Sequence, residues 1–333
     1  MQRLHSKITF VGSDSGREIV FNFVNDVTIK TSYEILTDTA KIILPRKITF
    51  EGVPITTGTT TLIKRGDSVK IEQGYFPDLR VVFVGFVSKT TPKTPLVIDC
   101  EDTMFLLKES TVTNSFTEVS LDTLLADIVP EVVTVENIAK VQNLGKITYS
   151  RVTPAAVLKE INKAYGIYSY FVLDANDNPI LKVGLASDAS DTNEEEYKFE
   201  ERVIKDSLEF QNSDDVLYRV TCISINTKTN KKVEASSGDD DGQKKTFHYI
   251  NLTVAECQGY ADELVKELKY SGFRGTFTTF GEPYIRPGDI ASLVSIQYPE
   301  KDGDYQVVSV VRSFGMGGYR QEIELGIRLD PTQ

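Results

Sequence analysis

The sequence predicts a mainly β protein with an α+β middle, in which two small similar β-barrels flank an α+β domain. Short apolar segments broken by turn residues fill both ends of the chain, a spacing typical of barrels and sandwiches. Helical spacing is concentrated in the centre, and one turn-and-strand pattern occurs twice. At roughly 100–200 residues per domain, we expect a first barrel over residues 1–105, an α+β domain over 106–202 and a second barrel over 203–333 with an inserted helix at 254–269.

The expected strands of the first barrel follow one another closely. Each is rich in Val, Ile, Thr or Phe and is bounded by residues such as Gly, Ser, Asn and Pro that favour turns. They cover residues 7–11, 18–23, 26–29, 40–44, 67–72, 79–87 and 96–100. This run predicts the first β-barrel.

Two helices are predicted in the central domain. Ser120 is a candidate N-cap for the first, and Thr153 caps the second, whose first residue is Pro154. Proline is well suited to that position because its missing N–H would have no partner there. Gly166 is the expected end of the second helix, and a hairpin is predicted over residues 167–185.

The β pattern returns in the last third of the chain. An acidic connector is predicted over residues 188–196, and residues 228–245 are expected to form a mobile hairpin tip or loop. Thr253 and Glu256 form a capping box, so a helix is predicted to begin there and to run to Lys269. The expected strands around these segments are 205–210, 216–225, 247–252, 291–296, 305–313 and 320–328.

One pattern occurs in both β regions. Ile-Lys-Arg-Gly-Asp ends at Asp67, Ile-Arg-Pro-Gly-Asp ends at Asp289, and an aromatic-led strand begins sixteen residues after each aspartate. Glycine adopts a positive φ at no steric cost, and aspartate caps the N–H groups of a turn. We therefore expect a positive φ at Gly66 and Gly288, and we predict that the barrel is duplicated. Two similar barrels per chain would let a trimer present six similar units around its axis.

Composition excludes several classes of protein. Apolar residues make up 40% of the 333 and charged residues 26%, which is typical of globular domains. The 48 acidic residues outnumber the 37 basic ones and give a net charge of −11. The chain is therefore not expected to bind the phosphate backbone of nucleic acids. No apolar run approaches the roughly 20 residues of a membrane helix, and no signal peptide is expected in residues 1–10. Three widely spaced cysteines favour a reducing site of synthesis.

No motif predicts catalysis, and we expect no catalytic residue, cofactor or metal. Asp174 begins a segment similar to a calcium loop, but Pro179 and Leu185 stand where that loop needs Gly and Glu. Asp14 occupies the place of serine in a Gly-x-x-x-Gly segment, and residues 315–318 lack the spacing of a dinucleotide site.

Two alternatives remain open at this point. A cell-wall or polysaccharide-degrading enzyme on a β scaffold would need a cleft with two facing carboxylates, one of them with a raised pKa. An adhesin or receptor-binding module would need an exposed aromatic platform, for which Tyr165, Tyr168 and Tyr170 are the candidates.

An ordered set of motifs resembles the phage tail hub proteins, namely the late control protein D group and the Mu-like 43-kDa tail proteins. The first barrel carries Lys-Arg-Gly-Asp at 64–67, Gly-Tyr at 74–75, Val-Phe-Val-Gly-Phe-Val at 82–87 and Val-Ile-Asp-Cys-Glu-Asp at 97–102. The last part carries Pro-Tyr-Ile-Arg-Pro-Gly-Asp at 283–289, Asp-Gly-Asp-Tyr-Gln-Val at 302–307 and Gly-Tyr-Arg-Gln at 318–321, preceded by the helix from Glu256 to Lys269. Together they cover nearly the whole chain.

The resemblance implies a structural protein, not an enzyme. Such hubs are homotrimers at the tip of a contractile or long tail, and related hubs occur in type VI secretion spikes and other contractile injection systems. Their two barrels build a torus that joins the sixfold tail tube to a threefold spike or fibre. The implied partners are the tail tube protein, a spike or central fibre protein and other baseplate proteins. The implied location is the virion tail tip, after assembly in the cytoplasm of the bacterial host.

Ring closure requires strand edges or sheet faces that meet across subunits. The predicted edges are residues 70–72 and 292–295, beside the repeated turns, and the predicted faces belong to residues 82–87 and 307–311. Val84 and Val308 are candidate contact positions on these strands, together with Gly66, Asp67, Gly288 and Asp289 in the turns. We expect a channel wide enough for double-stranded DNA, with an acidic or neutral wall past which DNA slides without binding.

Overall fold

The structure, a computed structural model, describes residues 3–45, 47–50, 53–56, 62–91, 94–139, 141–184, 193–226 and 228–329. Its first part consists of nine strands. They are β1 (Leu4–Val11), β2 (Glu18–Phe21), β3 (Asp26–Ser32), β4 (Thr39–Leu44), β5 (Lys47–Phe50), β6 (Val53–Thr56), β7 (Ser68–Tyr75), β8 (Asp78–Thr91) and β9 (Leu96–Glu101). Buried side chains recur at every second position along most of β1, β3, β4, β7 and β9. Except for the β5–β6 hairpin, these strands pair in one antiparallel sheet.

The middle part is an α+β unit with its own hydrophobic core. Its helices are α1 (Leu106–Glu109), α2 (Leu121–Ile128) and α3 (Pro154–Tyr165), and its strands are β10 (Val112–Phe116), β11 (Thr134–Asn137), β12 (Ile147–Val152), β13 (Tyr168–Leu173) and β14 (Pro179–Gly184). The Ser120 and Thr153 hydroxyls accept hydrogen bonds from the N–H groups of Thr123 and Ala156. Gly166 ends α3 with a φ of 64°, the left-handed conformation typical of a glycine at this position. The helices therefore begin where their caps predicted.

The last part contains β15 (Glu194–Lys198), α4 (Phe199–Arg202), β16 (Val203–Gln211), β20 (Gly272–Phe280), β21 (Ile290–Val294), β22 (Gly303–Gly315) and β23 (Gly318–Arg328). Between β16 and β20 lies a separate small unit, made of β17 (Tyr218–Ile225), β18 (Lys232–Gly238), β19 (Gln243–Ile250) and α5 (Val254–Leu268). Thr253 and Glu256 form the predicted capping box of α5. The helix is not a lone insertion, however, because it packs with β17 and β18 in a core of its own.

Two of the predicted irregular segments are in part regular strands. Residues 188–192 of the acidic connector lie outside the described residues, and residues 194–196 form the start of β15. This strand pairs in parallel with β21 and buries Tyr197 completely. The expected mobile loop at 228–245 contains β18 and the start of β19, both paired with β17. Because Tyr197 is packed in the core of the last part, we propose that this unit begins at residue 193, before the limit predicted at 203.

The predicted mainly β fold with an α+β middle is confirmed, and five strands of each β half share the same topology. Hydrogen-bonded neighbours follow the path β3-β4-β9-β8-β7-β1 in the first half and β16-β20-β23-β22-β21-β15 in the second. Five strands of each path also occur in the same order along the chain, namely β3, β4, β7, β8, β9 and β16, β20, β21, β22, β23. The sixth strand differs in direction, since β1 is antiparallel to β7 whereas β15 is parallel to β21.

The halves are joined through a shared strand. The end of β22 pairs antiparallel with β3 over seven residues, from Ser309 opposite Ser32 to Gly315 opposite Asp26. The two separate hydrophobic cores of the halves are therefore wrapped by strands of one continuous sheet of thirteen strands.

Candidate functional site

The first repeated turn is held by a buried carboxylate. Asp67 is 4% exposed, and its Oδ2 accepts a hydrogen bond from the Lys64 N–H at 2.7 Å. Its Oδ1 accepts from the N–H and the hydroxyl of Ser13, at 2.9 and 3.1 Å. Gly66 has a φ of 90°, and the Gly66 N–H donates to the Val87 carbonyl at 2.9 Å, while the Val87 N–H donates to the Asp67 carbonyl at 2.8 Å.

The second turn repeats the backbone hydrogen bonds of the first. Oδ2 of Asp289 accepts from the Arg286 N–H at 2.7 Å, and Oδ1 accepts from the Asn193 N–H at 3.1 Å. Gly288 has a φ of 93°. The Gly288 N–H donates to the Val307 carbonyl at 2.7 Å, and the Val307 N–H donates to the Asp289 carbonyl at 2.9 Å. The two turns are therefore equivalent, and each aspartate connects its turn to the outer strand of its half.

The returning strands have a different register from the one that the sequence suggested. The turns contact Val87 and Val307, which lie twenty and eighteen residues after their aspartates, so the equal offset of sixteen residues does not mark equivalent positions. Both strands then skip one residue in the pairing, at Ser88 and at Val308. Val84 instead lies opposite Lys70 within the β7–β8 pair, so Val84 and Val308 are not equivalent.

The strand edges predicted for assembly are already occupied within the chain. Residues 70–72 pair with β1 on one side and with β8 on the other. Ser292 and Leu293 pair likewise with β15 and with β22. Residues 70–72 and 292–293 therefore have a strand of the same chain on both sides, so the prediction that these residues are free edges that meet across subunits is wrong.

The joint between the halves is supported by side chains as well as by strand pairing. The hydroxyls of Thr31 and Ser32 donate to the carbonyls of Val310 and Val308, each at 3.2 Å. Arg312 is 1% exposed; its guanidinium lies 4.2 Å from the centre of the Tyr284 ring and donates to the Ile285 carbonyl. Arg312, Tyr284 and Ile285 all belong to the second half, and Tyr284 also packs against the hydrophobic core of the first half. The buried cation therefore holds in place an aromatic ring that lies at the joint.

A cleft of about 560 Å³ lies beside this joint, lined by both halves and by the β13–β14 hairpin. Asp38 and Asp102 line it together. Burial raises the pKa of Asp102 to about 7. Burial and, secondly, the charge of Asp102 raise the pKa of Asp38 well above its usual range. A cleft with two close carboxylates and a raised pKa is the feature by which a polysaccharide-degrading enzyme would be recognised.

The hydrogen bonds of these carboxylates indicate a structural role instead. Asp102 accepts from the Met104 N–H at 2.9 Å and from the Asp38 N–H at 3.0 Å, and Asp38 accepts from the Ser32 N–H at 3.0 Å. Both oxygens of Asp102 are thus engaged by backbone groups, and the pair ties the end of β3 to the end of β9. A general acid needs a carboxyl group that reaches the substrate, whereas Asp102 is only 5% exposed.

In the described ranges, no group of His, Cys, Asp and Glu side chains is arranged to hold a metal ion. No helix among these residues has both the length and the apolar character needed to cross a membrane. Tyr168, one of the candidate platform residues, is half-buried and makes an edge contact with Tyr33.

The fold matches solved structures of tail proteins over nearly the whole chain. The 43 kDa tail protein of prophage MuSo2 from Shewanella oneidensis is 14% identical with a TM-score of 0.61, over 97% of this chain and 98% of that one. A tail protein from Neisseria meningitidis MC58 is 16% identical with a TM-score of 0.62, over 98% and 97%. The Francisella PdpA–VgrG complex matches 98% of this chain to 58% of its own, at 10% identity and a TM-score of 0.60.

No family model matches the sequence, and no curated protein does. At the identities of the solved structures, the similarity establishes a common fold. The fold is that of the Mu-like 43 kDa tail proteins, which confirms the resemblance found in the sequence motifs.

Proposed function

We propose that this chain is a structural hub protein of a phage-type tail tip or baseplate, in which three copies form a ring. The observation that carries the proposal is the repeated topology of the two halves, with its equivalent turns at Asp67 and Asp289. A trimer of such a chain has threefold symmetry but presents six similar units around its axis. That combination suits a junction between a sixfold tail tube and a threefold spike or fibre.

The shared fold supports the same assignment. Two of the matching structures are tail proteins, and a third contains VgrG in complex with PdpA. By analogy, the proposed partners are the tail tube protein, a spike or central fibre protein and other baseplate proteins. The proposed location is the virion tail tip, and assembly takes place in the cytoplasm of the host.

The ring is proposed to surround a channel through which DNA or an effector passes. The net charge of −11 supports a wall that repels phosphate, because a dense lining of Lys and Arg would bind the polymer and slow its passage. No substrate is turned over in this role, so the protein acts as a structural component and not as an enzyme.

The mass in solution and an image of the particle test this proposal. We expect a mass of about three times 37.2 kDa and threefold particles with a central opening. A closed dimer without a channel, or a lumen densely lined by Lys and Arg, would contradict the ring.

A separate assay tests the absence of catalysis. The purified protein should leave peptidoglycan and polysaccharide intact. Cleavage that is abolished by Asp102→Asn but not by the exposed control Asp122→Asn would show that the cleft is an active site after all.

A further inference from the structure

Two equivalent strands, β3 and β16, differ in their number of hydrogen-bonded neighbours. β3 has a hydrogen-bonded strand on each side, β4 and β22. β16 occupies the same place in the second half, yet among the described strands it pairs only with β20. It is nine residues long, and its side chains Ile204 and Phe210 are 47% and 48% exposed. A long open edge with exposed apolar groups is a surface to which another strand adds readily.

The structure also shows which strand fits such an edge. Within the chain, β3 is covered by residues 309–315 of β22, and the equivalent of β22 in the first half is β8. Val87 lies opposite Cys100 and, after one skipped residue, Lys89 lies opposite Asp99.

The second half repeats this pattern. Val307 lies opposite Leu325 and, after one skipped residue, Ser309 lies opposite Glu324. Residues 89–91 of β8 therefore correspond to residues 309–311 of β22. Among the described strands, residues 89–91 pair only with β9.

These two open segments do not pair within one chain in the observed sheet, in which six strands lie between β16 and β8. We propose that β16 of one copy pairs antiparallel with residues 89–91 of a second copy. The contact repeats between chains the joint that β3 and β22 make within the chain. This inference rests on the proposed ring and names the surface that closes it.

The repeat also fixes the register of this contact. In the first half, Ile29 of β3 lies opposite Ala40 of β4, which lies opposite Cys100 of β9. In the second half, Leu208 of β16 lies opposite Gly275 of β20, which lies opposite Leu325 of β23. Since Cys100 and Leu325 are equivalent, Ile29 and Leu208 are equivalent too.

Transferring the β3–β22 register then places Lys89 opposite Gln211, Thr90 opposite Phe210, and Thr91 opposite Glu209. In this register Lys89 and Glu209 are diagonal neighbours of opposite charge on one face, which favours the pairing. The contact joins different surfaces of the two copies, so it is heterologous. It closes into a ring of three when each copy is rotated by a third of a turn relative to the one before it.

Cysteine cross-linking tests the contact at single-residue resolution. Thr91→Cys and Glu209→Cys are made in separate proteins, which are mixed and mildly oxidised. Directly opposite residues in an antiparallel pair lie within reach of a disulfide. The native cysteines Cys100, Cys222 and Cys257 are buried and do not compete. We expect a covalent dimer in the mixture and none in either protein alone.

The chain offers a matched control for the geometry. Val311 lies opposite Lys30 in the joint within the chain, at the positions equivalent to Thr91 and Glu209. The double variant Val311→Cys/Lys30→Cys should form its disulfide inside one chain under the same oxidation.

The outcomes separate this inference from the proposed function. A trimeric mass without a cross-link overturns the strand pairing and leaves the ring proposal standing. A monomeric mass without a cross-link at about 100 µM protein contradicts both. A cross-link accompanied by an open ladder of oligomers supports the pairing and contradicts the closed ring.

Discussion

The two Gly-Asp turns allow a test of backbone strain that is free of steric clashes. A Cβ built at Gly288 has no heavy atom within 4 Å, and one built at Gly66 meets only the Ser13 hydroxyl, at 3.9 Å. Alanine at either position therefore adds no collision, and its cost is that of holding an L-residue at a φ of 90° or 93°. That cost is about 1–2 kcal/mol. Valine should cost more, because its branched Cβ restricts the backbone further.

The assay is thermal unfolding of Gly66→Ala and Gly288→Ala, with Gly259→Ala as the matched control. At about 2–4 °C per kcal/mol for units of this size, each turn variant should lower its midpoint by about 2–8 °C. Gly259 lies exposed inside α5 and a Cβ there also meets nothing within 4 Å, so alanine should stabilise the helix by about 0.5–1 kcal/mol.

Hydrogen exchange at the Val87 and Val307 amides, which donate to the aspartate carbonyls, reports the turns directly. Turn variants that behave like Gly259→Ala, or a response at only one of the two turns, would contradict a strain cost at both glycines.

Three further predictions concern buried and capping groups. Asp289→Ala removes the acceptor of two backbone hydrogen bonds and should destabilise the second half by about 2–4 kcal/mol, measured by the urea midpoint, whereas an unchanged midpoint would contradict this role. Because the pKa of Asp102 is raised to about 7 in the folded chain, its contribution to stability is present below about pH 4 and is lost as the pH rises towards 7. Asp102→Asn should therefore flatten the fall in melting temperature between pH 4.5 and 7.5, and an equally steep fall would exclude Asp102 as its source. Thr253→Ala removes the capping box of α5 and should cost about 1 kcal/mol, seen as faster amide exchange in the first turn of that helix, which Thr253→Ser should largely restore.

Local chemistry made part of this fold predictable. Thr153 and Pro154 mark the start of α3, and Gly166 marks its end, because capping and positive φ are properties of single residues. The Gly-Asp turns were found for the same reason. The segment after Asp174 lacks the residues of a calcium loop, and its carboxylate instead accepts from the N–H groups of Asn176 and Asn178 in a polar turn.

Contacts between distant residues could not be predicted in this way. β15 reads Glu-Glu-Glu-Tyr-Lys, in which one apolar side chain gives no alternation, and it becomes a strand because β21 offers it an edge. The joint of β3 with β22 links residues 279 positions apart, and neither strand carries a local signal for its partner. The open edge of β16 was missed because occupancy of an edge is decided by the whole sheet. The closeness of Asp38 and Asp102 likewise depends on where two strand ends meet.

The strand shared by the two halves bears on how such a repeat can evolve. The halves follow the same path, yet β22 belongs to the second half and completes the sheet of the first. Separating them would expose seven paired residues of β3 and leave a sheet edge open in each fragment. A duplicated unit joined in this way is no longer exchangeable as a module. Its two halves are therefore expected to be inherited together, while single strands within them still diverge, as the different directions of β15 and β1 show.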